Sequence, residues 1–181
     1  MTYTPDAPSD AVAELTLGLM ISCLRQIHVA NQKMHAGEWH RHFGRRIENC
    51  TVGLIGLGRI GGRVLRLLEP FKPRRILGHD LRPPESLRLT GDISMRSLDE
   101  VVADSDVLSL HVPLTERTRN LIGRREFANM RSGAILVNTA RGGIVDEVAL
   151  LESLNSGKLS SAALDVFEDE PYAGPLTRLD R

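Results

Sequence analysis

From Cys50 onward, short aliphatic runs alternate with longer segments in which apolar residues recur at helical spacing. The aliphatic runs are "TVGLIG", "RRILGHD", "DVLSLHV", "GAILVNT" and "SAALDV". The helical segments between them include "RIGGRVLRLLEP", "SLDEVVADS" and "DEVALLESLNSG". Strands that alternate with helices of this length indicate β-α-β units and a parallel sheet that is covered on both faces. The pattern therefore predicts an α/β fold of the doubly wound type.

Residues 1–49 differ from the rest, because one long helical pattern precedes a polar stretch. Ser9 and Asp10 can cap a helix that runs from Ala11 to about Met34. Its apolar residues form two stripes, Val12, Leu15, Leu19, Cys23 and Ile27 on one and Leu17, Ile21 and Leu24 on the other. Such a helix must be covered, and we expect part of the cover to come from outside this chain. We expect a single domain, with the helix and linker over 1–49 and the sheet over 50–181.

Three glycines, Gly56, Gly58 and Gly61, form a G-x-G-x-x-G pattern between the first predicted strand and the following helix. In a dinucleotide-binding turn the first glycine allows the tight turn, the second lets a pyrophosphate approach, and the third lets the helix pack on the sheet. The amides of Arg59 and Ile60 would then meet the phosphates at the positive end of the helix. Taken alone, the pattern is equally compatible with an ordinary tight turn or a methyltransferase-like fold.

Asp80 ends the second predicted strand, 19 positions after Gly61 (80 − 61). A carboxylate at this place accepts hydrogen bonds from an adenosine ribose and repels a 2′-phosphate, which favours NAD over NADP. A solvent-facing aspartate at a strand end is the alternative interpretation. Arg82, two residues further on, leaves room for NADP.

Polar residues also follow the later strands, in "HVPLT", "NTARGG" and "DVFEDEP". Ligands of open α/β sheets lie outside the carboxyl ends of the strands, so these residues are candidates for a site. The guanidinium of Arg141 suits the carboxylate of a 2-oxo or 2-hydroxy acid. It is also compatible with a surface residue that caps a helix or pairs with Asp146. Asp165 and Glu170, considered alone, are compatible with plain turn acids before Pro171.

Composition narrows the functional classes. Among 181 residues, 23 Lys and Arg balance 23 Asp and Glu, so charge gives no support for a nucleic-acid or membrane-surface partner. Cys23 and Cys50 are too few for a disulfide framework, which favours a reducing, cytoplasmic location and two buried thiols. We expect no secretory signal at the N-terminus, and the longest apolar run is shorter than the ~20 residues that span a bilayer. His35, His40 and His42 cluster in a polar loop, where we expect no metal site.

The order of several motifs carries more information than any single one. The stretches "GLIGLGRIG", "HVPLTERTRNLIG", "ILVNTARGGIVDEVAL" and "AALDVFEDEP" resemble the successive motifs of the D-isomer-specific 2-hydroxyacid dehydrogenases, the family of phosphoglycerate dehydrogenase. The stretch "SDAVAELTLGLMISCLR" also resembles the helix that links the two domains in this family. The resemblance covers nearly the whole chain and implies a Rossmann-type fold with NAD as cofactor.

Position by position, the resemblance implies a set of coenzyme contacts. Besides the three glycines they are Arg59 and Ile60 for the pyrophosphate, Asp80 for the ribose, His111 and Pro113 near the cofactor, Thr139, Ala140 and Arg141 at the nicotinamide, and Asp165 for the carboxamide. The resemblance gives Arg141 a second role, orienting the carboxylate and carbonyl of the substrate. Glu170 pairs in the family with a catalytic histidine, whose protonated form its charge would favour.

The resemblance has gaps at both ends of the sequence. The family's acid/base histidine lies in a "PH.G"-like motif well beyond the glutamate, and we expect none of the six histidines to replace it. His111 occupies the coenzyme-side "HVPLT" position. We expect the first part of the substrate domain, which precedes the linking helix in the family, to be missing as well. We therefore expect a coenzyme domain without its substrate domain.

Together these features predict hydride transfer between NAD(H) and a small 2-hydroxy or 2-oxo acid, with little activity in the 181 residues alone. The alternative is a non-catalytic NAD-binding or NAD-sensing module. We also expect no nucleic-acid or membrane partner. The apolar helix from Ala11 predicts a homodimer.

Overall fold

Six parallel strands form one sheet in the computed structural model, which describes residues 9–82 and 91–179. The strands are β1 (Thr51–Ile55), β2 (Arg75–His79), β3 (Ser94–Met95), β4 (Val107–Leu110), β5 (Ala134–Asn138) and β6 (Leu159–Leu164). Their order across the sheet is β3-β2-β1-β4-β5-β6. The chain thus extends the sheet first to one side of β1 and then to the other. This confirms the predicted doubly wound Rossmann-type topology.

Helices cover both faces of the sheet. They are α1 (Ser9–Arg25), α2 (Ile27–His35), α3 (Arg59–Leu68), α4 (Leu98–Asp104), α5 (Arg124–Asn129) and α6 (Glu147–Asn155). Successive side chains of a strand point to opposite faces, so Leu54 joins the buried cluster under α1 and α3, whereas Ile55 joins the one under α4, α5 and α6. Both faces of the central strands are therefore buried, and ligands have access at the strand ends.

The prediction of one continuous helix from Ala11 to about Met34 is wrong, because the chain breaks at Gln26. Gln26 has a left-handed backbone with φ of 51°, and α1 and α2 are bent by 63° relative to each other. The backbone N–H of Arg45 donates a hydrogen bond of 3.0 Å to the carbonyl of Leu24. The linker therefore returns to the end of α1 and bonds a carbonyl that a continuous helix would have used itself.

The face that α1 buries also differs from the prediction. The buried residues of α1 are Ser9, Ala13, Thr16, Met20, Cys23 and Leu24. Leu15, from the first predicted stripe, is 41% exposed. The cover comes from α3, β5 and β6 of this same chain, so the expectation of outside cover is wrong for this face. Small side chains at Ala13 and Thr16 allow the close approach to the sheet.

Both cysteines are buried free thiols, as predicted, and burial raises the pKa of each thiol. Two elements, β3 and α5, are not in the predicted pattern, because 2 and 6 residues are too short to show a period. The first eight residues of the expected helix-and-linker segment lie outside the described residues. Within the described ranges no single helix is long and apolar enough to cross a membrane, although α1 and α2 would pass that test as a bent pair.

Candidate coenzyme site

The glycine-rich turn joins the end of β1 to the start of α3. Gly56 has a φ of +89°, and a Cβ atom there would lie 2.7 Å from the carbonyl oxygen of His111. A Cβ atom on Gly61 would lie 2.0 Å from the carbonyl oxygen of Gly56. Both positions therefore exclude a side chain, because the backbones are already in contact.

Gly58 differs from these two glycines, since it faces open space. A Cβ atom there would meet only a side-chain nitrogen of Arg82, at 3.9 Å. α3 begins directly afterwards at Arg59, so its first turn presents N–H groups and the positive end of the helix dipole at the same place. The turn thus leaves room for an anion and provides donors for it.

A groove of about 1000 Å³ runs from this turn along the carboxyl ends of β1, β2 and β4. Its lining includes Gly56, Gly58, Arg59, Asp80, His111 and Pro113, all six of which were predicted as coenzyme contacts. Apolar side chains add to the walls, among them Leu81, Leu98, Val112 and Leu121. A groove with apolar walls and a few polar groups has the character of a small-molecule site.

Asp80, directly after β2, is one of two acids in the lining of this groove, with Glu116. Its Oδ2 accepts a hydrogen bond of 2.8 Å from the N–H of Leu57. The guanidinium of Arg82 binds both carboxylate oxygens, from Nε at 3.0 Å and from Nη2 at 2.9 Å. These bonds, with that from the Arg82 side chain as the largest cause, lower the pKa of Asp80 to about 2. Asp80 is therefore negatively charged at neutral pH.

His111 follows β4 and closes the floor of the groove. Its Nε2 lies 3.0 Å from the hydroxyl of Ser109. Its Nδ1 is inaccessible to solvent and has no hydrogen-bond partner among the described residues. Burial lowers the pKa of His111 to about 4, so the ring is neutral at pH 7. A neutral ring held in this way fits a wall of the groove better than it fits a proton donor.

A second cluster surrounds the end of β5. The side chain of Asn138 closes the turn that follows, with Nδ2 donating to the carbonyl of Arg141 at 3.0 Å and Oδ1 accepting from the N–H of Ala140 at 3.1 Å. Thr139 is buried, and its hydroxyl lies 2.8 Å from that of Thr16 in α1. Arg141 is exposed. The turn is thus held from inside the protein while its arginine faces outward.

Gly142 brings this turn against the loop that follows β6. A Cβ atom on Gly142 would lie 1.7 Å from the carbonyl oxygen of Phe167, so the two backbones are in direct contact. The carboxylate of Glu170 accepts a hydrogen bond of 3.0 Å from the N–H of Phe167. The N–H of Asp165 donates to the carbonyl of Asn138 at 3.0 Å, while its side chain is exposed. The segments of Arg141, Asp165 and Glu170 therefore meet at one edge of the sheet.

The segment after β4 connects this cluster to the groove. The N–H of Asn120 donates to the carbonyl of Gly143 at 2.8 Å, and the neighbouring Leu121 lines the groove. Arg119 forms an ion pair of 2.6 Å with Glu168 in the loop after β6. Asp146 does not pair with Arg141 as in the alternative interpretation. It caps α6 by accepting from two backbone N–H groups.

This arrangement matches a known family along most of its length. The family model for the D-isomer specific 2-hydroxyacid dehydrogenase, NAD binding domain, matches residues 17–181. The chain belongs to the D-isomer-specific 2-hydroxyacid dehydrogenases. The resemblance of the sequence motifs is thereby confirmed.

Individual dehydrogenases of the family are similar over nearly the whole chain. The D-3-phosphoglycerate dehydrogenase of Methanocaldococcus jannaschii is 46% identical over 97% of this chain and 34% of its own length. A glyoxylate reductase structure from Paecilomyes thermophila has a TM-score of 0.88 at 41% identity, covering 98% of this chain and 54% of that one. The Aquifex aeolicus D-lactate dehydrogenase, solved with NAD and lactic acid, has a TM-score of 0.84 at 32% identity and covers 96% and 55%. The chain thus spans about a third to a half of these relatives.

NAD is the coenzyme of this dehydrogenase domain, as predicted. The residues present fit it, since Gly58 leaves space at the start of α3 and a charged carboxylate stands at the end of β2. Within residues 9–82 and 91–179, no group of three or more His, Cys, Asp or Glu side chains is arranged as metal ligands.

The remaining predicted contacts lie outside the groove lining. Ile60 and Gly61 belong to the first turn of α3, and Thr139 and Ala140 are buried in the turn after β5. Arg141, Asp165 and Glu170 are exposed at the second cluster.

Thr16 was not predicted to act in the site, and the contacts that Asn138 and Arg82 make within this chain were not predicted either. Asn138 closes the Arg141 turn, Thr16 contacts Thr139, and Arg82 binds Asp80. The role of Thr16 could have been suspected, because its hydroxyl lies on the apolar side of a helix. Its partner Thr139 could not be predicted, because the two residues are far apart in sequence.

Proposed function

We propose that this chain is the coenzyme half of a dehydrogenase that transfers hydride between NAD(H) and C2 of a small 2-hydroxy or 2-oxo acid. The contact of Gly142 with Phe167 supports the proposal most strongly, because it joins the Arg141 turn and the Glu170 loop beside the groove. NAD supplies the hydride acceptor at its nicotinamide. The similar proteins include a D-3-phosphoglycerate dehydrogenase, a glyoxylate reductase and a D-lactate dehydrogenase solved with lactic acid, which supports a small acid as substrate.

Each residue has a role in this proposal. Gly58 and the first turn of α3 hold the pyrophosphate, and Asp80 holds the adenosine ribose. Thr139 and Ala140 shape the nicotinamide end, and Asp165 binds the carboxamide. The exposed guanidinium of Arg141 orients the substrate carboxylate, because a planar fork of donors matches two carboxylate oxygens. Glu170 stabilises the positively charged imidazole of the catalytic histidine with which it pairs in the family.

His111 has no acid/base role in this proposal, because it is neutral down to about pH 4 and its Nδ1 is enclosed. We therefore propose that the 181 residues bind NADH weakly without reducing glyoxylate, pyruvate or hydroxypyruvate. General acid–base catalysis contributes roughly 10²–10⁴-fold, and loss of substrate positioning lowers the rate further.

Two glycines of α3 and its preceding turn provide the test of coenzyme binding. Gly58→Ala places a methyl group in the space expected to hold the pyrophosphate, where Gly56 and Gly61 leave no room for one, and we expect NADH to bind at least about tenfold more weakly. Gly62→Ala is the matched control, because a Cβ atom there meets nothing within 4 Å. Equal NADH affinity of the two variants, measured by fluorescence titration, would contradict the proposed site.

Measuring NADH oxidation by the purified chain tests the proposed lack of catalytic activity separately from coenzyme binding. Rapid NADH oxidation that Arg141→Ala abolishes would show that another group in these residues supplies the proton. Sequencing the gene beyond both ends tests the alternative of a non-catalytic module, since a downstream histidine motif supports the enzyme.

We also propose that two copies of this chain associate. Large apolar side chains are exposed on α2 and the linker after it, including Ile27 at 51%, Met34 at 54%, Trp39 at 74% and Phe43 at 101%. An exposed apolar patch of this kind is typical of an interface. A monodisperse monomer in light scattering at micromolar concentration would contradict the dimer.

We also propose a cytoplasmic location, which the two free thiols support.

A further inference from the structure

The loop of residues 166–170, which follows β6, has little support from backbone hydrogen bonds. The N–H of Asp165 continues the sheet by bonding the carbonyl of Asn138. Beyond Asp165, no backbone–backbone hydrogen bond reaches residues 166–173 from any residue that the structure describes. Inside the loop, the N–H of Phe167 donates to the carboxylate of Glu170. Side chains from other segments must therefore determine where this loop lies.

Two side chains hold the loop from outside, and both bind Glu168. Glu147, the first residue of α6, accepts a hydrogen bond of 2.9 Å from the N–H of Glu168. Arg119 donates to the carboxylate of the same residue at 2.6 Å. Both bonds involve a carboxylate, and charge-assisted bonds of this kind are roughly twice as strong as neutral ones. The backbone and the side chain of Glu168 are thus held by two different segments of the chain.

Glu147 and Arg119 belong to two segments that are bonded to each other beside the loop. Residues 120–122 and 143–146 run in parallel and are joined by three backbone hydrogen bonds of 2.8, 3.2 and 3.0 Å. Arg119 directly precedes the first of these segments, and Glu147 directly follows the second. Arg141 lies just before the second segment. The paired segments therefore carry Arg141 and hold the loop at the same time.

The loop connects two side chains that the proposed function uses, because Asp165 precedes it and Glu170 ends it. The contact between Gly142 and the carbonyl of Phe167 limits how closely the loop can approach the Arg141 turn. The two bonds to Glu168 limit how far it can move away. A shift of roughly 1 Å in a positioned group can lower the rate of an enzyme about 10²-fold, so both limits matter.

We infer that Glu147 and Arg119 are positioning residues for the nicotinamide end of the coenzyme site. They hold Glu168 and so fix the direction in which Asp165 meets the carboxamide. Neither of them is in the lining of the coenzyme groove, so they act through the loop. This inference rests on the proposed role of Asp165 in binding the carboxamide.

Titration of the 181-residue chain with NADH and with ADP-ribose tests the inference. ADP-ribose has the adenosine, the pyrophosphate and the second ribose of the coenzyme but no nicotinamide. Glu147→Ala removes the acceptor of the Glu168 N–H, and we expect NADH to bind about fivefold more weakly, the effect of one lost hydrogen bond. ADP-ribose should bind as it does to wild type, because the adenosine end is unchanged. Glu147→Gln keeps a side-chain oxygen as acceptor and should restore NADH binding.

Arg119→Ala provides a second variant of the same contact. It removes an exposed ion pair, so we expect NADH to bind about twofold more weakly and ADP-ribose to bind as it does to wild type. If Glu147→Ala does not fold, the comparison of the two ligands in Arg119→Ala decides.

Glu152→Ala is the matched control. Glu152 lies on the same helix as Glu147 but pairs with Arg124, so both ligands should bind this variant as they bind wild type. Equal weakening of NADH and ADP-ribose in Glu147→Ala, no weakening of NADH, or no rescue by Glu147→Gln overturns the inference and leaves the coenzyme site intact. If wild type binds NADH no more tightly than ADP-ribose, the proposed role of Asp165 fails and the inference fails with it. If wild type binds neither ligand, the proposed coenzyme site itself fails.

Discussion

The two ends of the proposed coenzyme site differ in the exposure and hydrogen bonding of their charged side chains. At the adenosine end, formed by the glycine turn and Asp80, the carboxylate is held by four hydrogen bonds and lines a groove. At the acid end, formed by residues 139–142 and 165–170, Arg141, Asp165 and Glu170 are exposed. The backbone is equally tight at both ends, since Gly61 and Gly142 each touch a neighbouring carbonyl.

This difference indicates that the backbone and the side chains of the site have separate requirements. Close backbone contacts make each turn rigid and set the direction of the side chains that follow. The charged groups at the acid end are exposed, with Arg141 Nη1 donating to the carbonyl of Ala140 and Glu170 accepting from the N–H of Phe167, whereas the carboxylate of Asp80 accepts four hydrogen bonds. Rigid turns that carry adjustable charges suit a site that binds and releases its ligands in each cycle.

The largest expected effect comes from the backbone contact at the acid end. Gly142→Ala would place a Cβ atom 1.7 Å from the carbonyl oxygen of Phe167, so the two loops must separate. We expect the free energy of unfolding to fall by more than about 3 kcal/mol, measured by urea denaturation. The Gly62→Ala control meets no atom and should keep or raise the stability by up to about 1 kcal/mol. Similar stability of both variants would show that the loop contact is not tight.

A smaller effect is expected at the adenosine end, where His111 is half-buried in the lining of the groove. Its pKa is about 4 in the folded chain against 6.5 for an unperturbed histidine, so below pH 6.5 only the unfolded chain takes up a proton. The stabilisation is complete above pH 6.5 and is lost as the pH falls towards 4. At pH 5 the free energy of unfolding has fallen by about 2 kcal/mol. His111→Gln should remove this part of the loss between pH 7 and pH 5 in urea titrations.

Wild type provides the comparison for that experiment. If His111→Gln loses as much stability between pH 7 and pH 5 as wild type, then the His111 ring accepts a proton in the folded chain.

The smallest effect concerns the link between α1 and the acid end. Thr16 donates its proton to the carbonyl of Val12 at 2.7 Å, so it accepts the proton of Thr139. Thr16→Val leaves the buried Thr139 hydroxyl without this acceptor, and we expect a loss of about 1–2 kcal/mol in the free energy of unfolding. NADH should bind more weakly as well. Thr16→Ser should restore both measurements, and failure of this rescue would assign the effect to packing.

Much of the framework was predictable from local patterns. The aliphatic runs that became β1, β2, β4, β5 and β6 needed only their own composition and spacing, because β1, β4 and β5 are buried throughout and β2 and β6 at three positions each. The glycine turn was predictable as well, because its three glycines meet steric requirements within one β-α unit. The positions of Arg141, Asp165 and Glu170 after strands made them candidates, the resemblance gave them roles, and the structure brings their segments together.

Sequence alone therefore determined the α/β class, the glycine turn and the order of the motifs, because each depends on residues that are close along the chain. The tertiary structure decided the break at Gln26, where Arg45 returns to bond Leu24, and the contact between Thr16 and Thr139. It also decided that His111 is neutral and that Asp80 is occupied by Arg82. Burial and hydrogen-bond partners set these properties, and they exist only after distant segments have packed together.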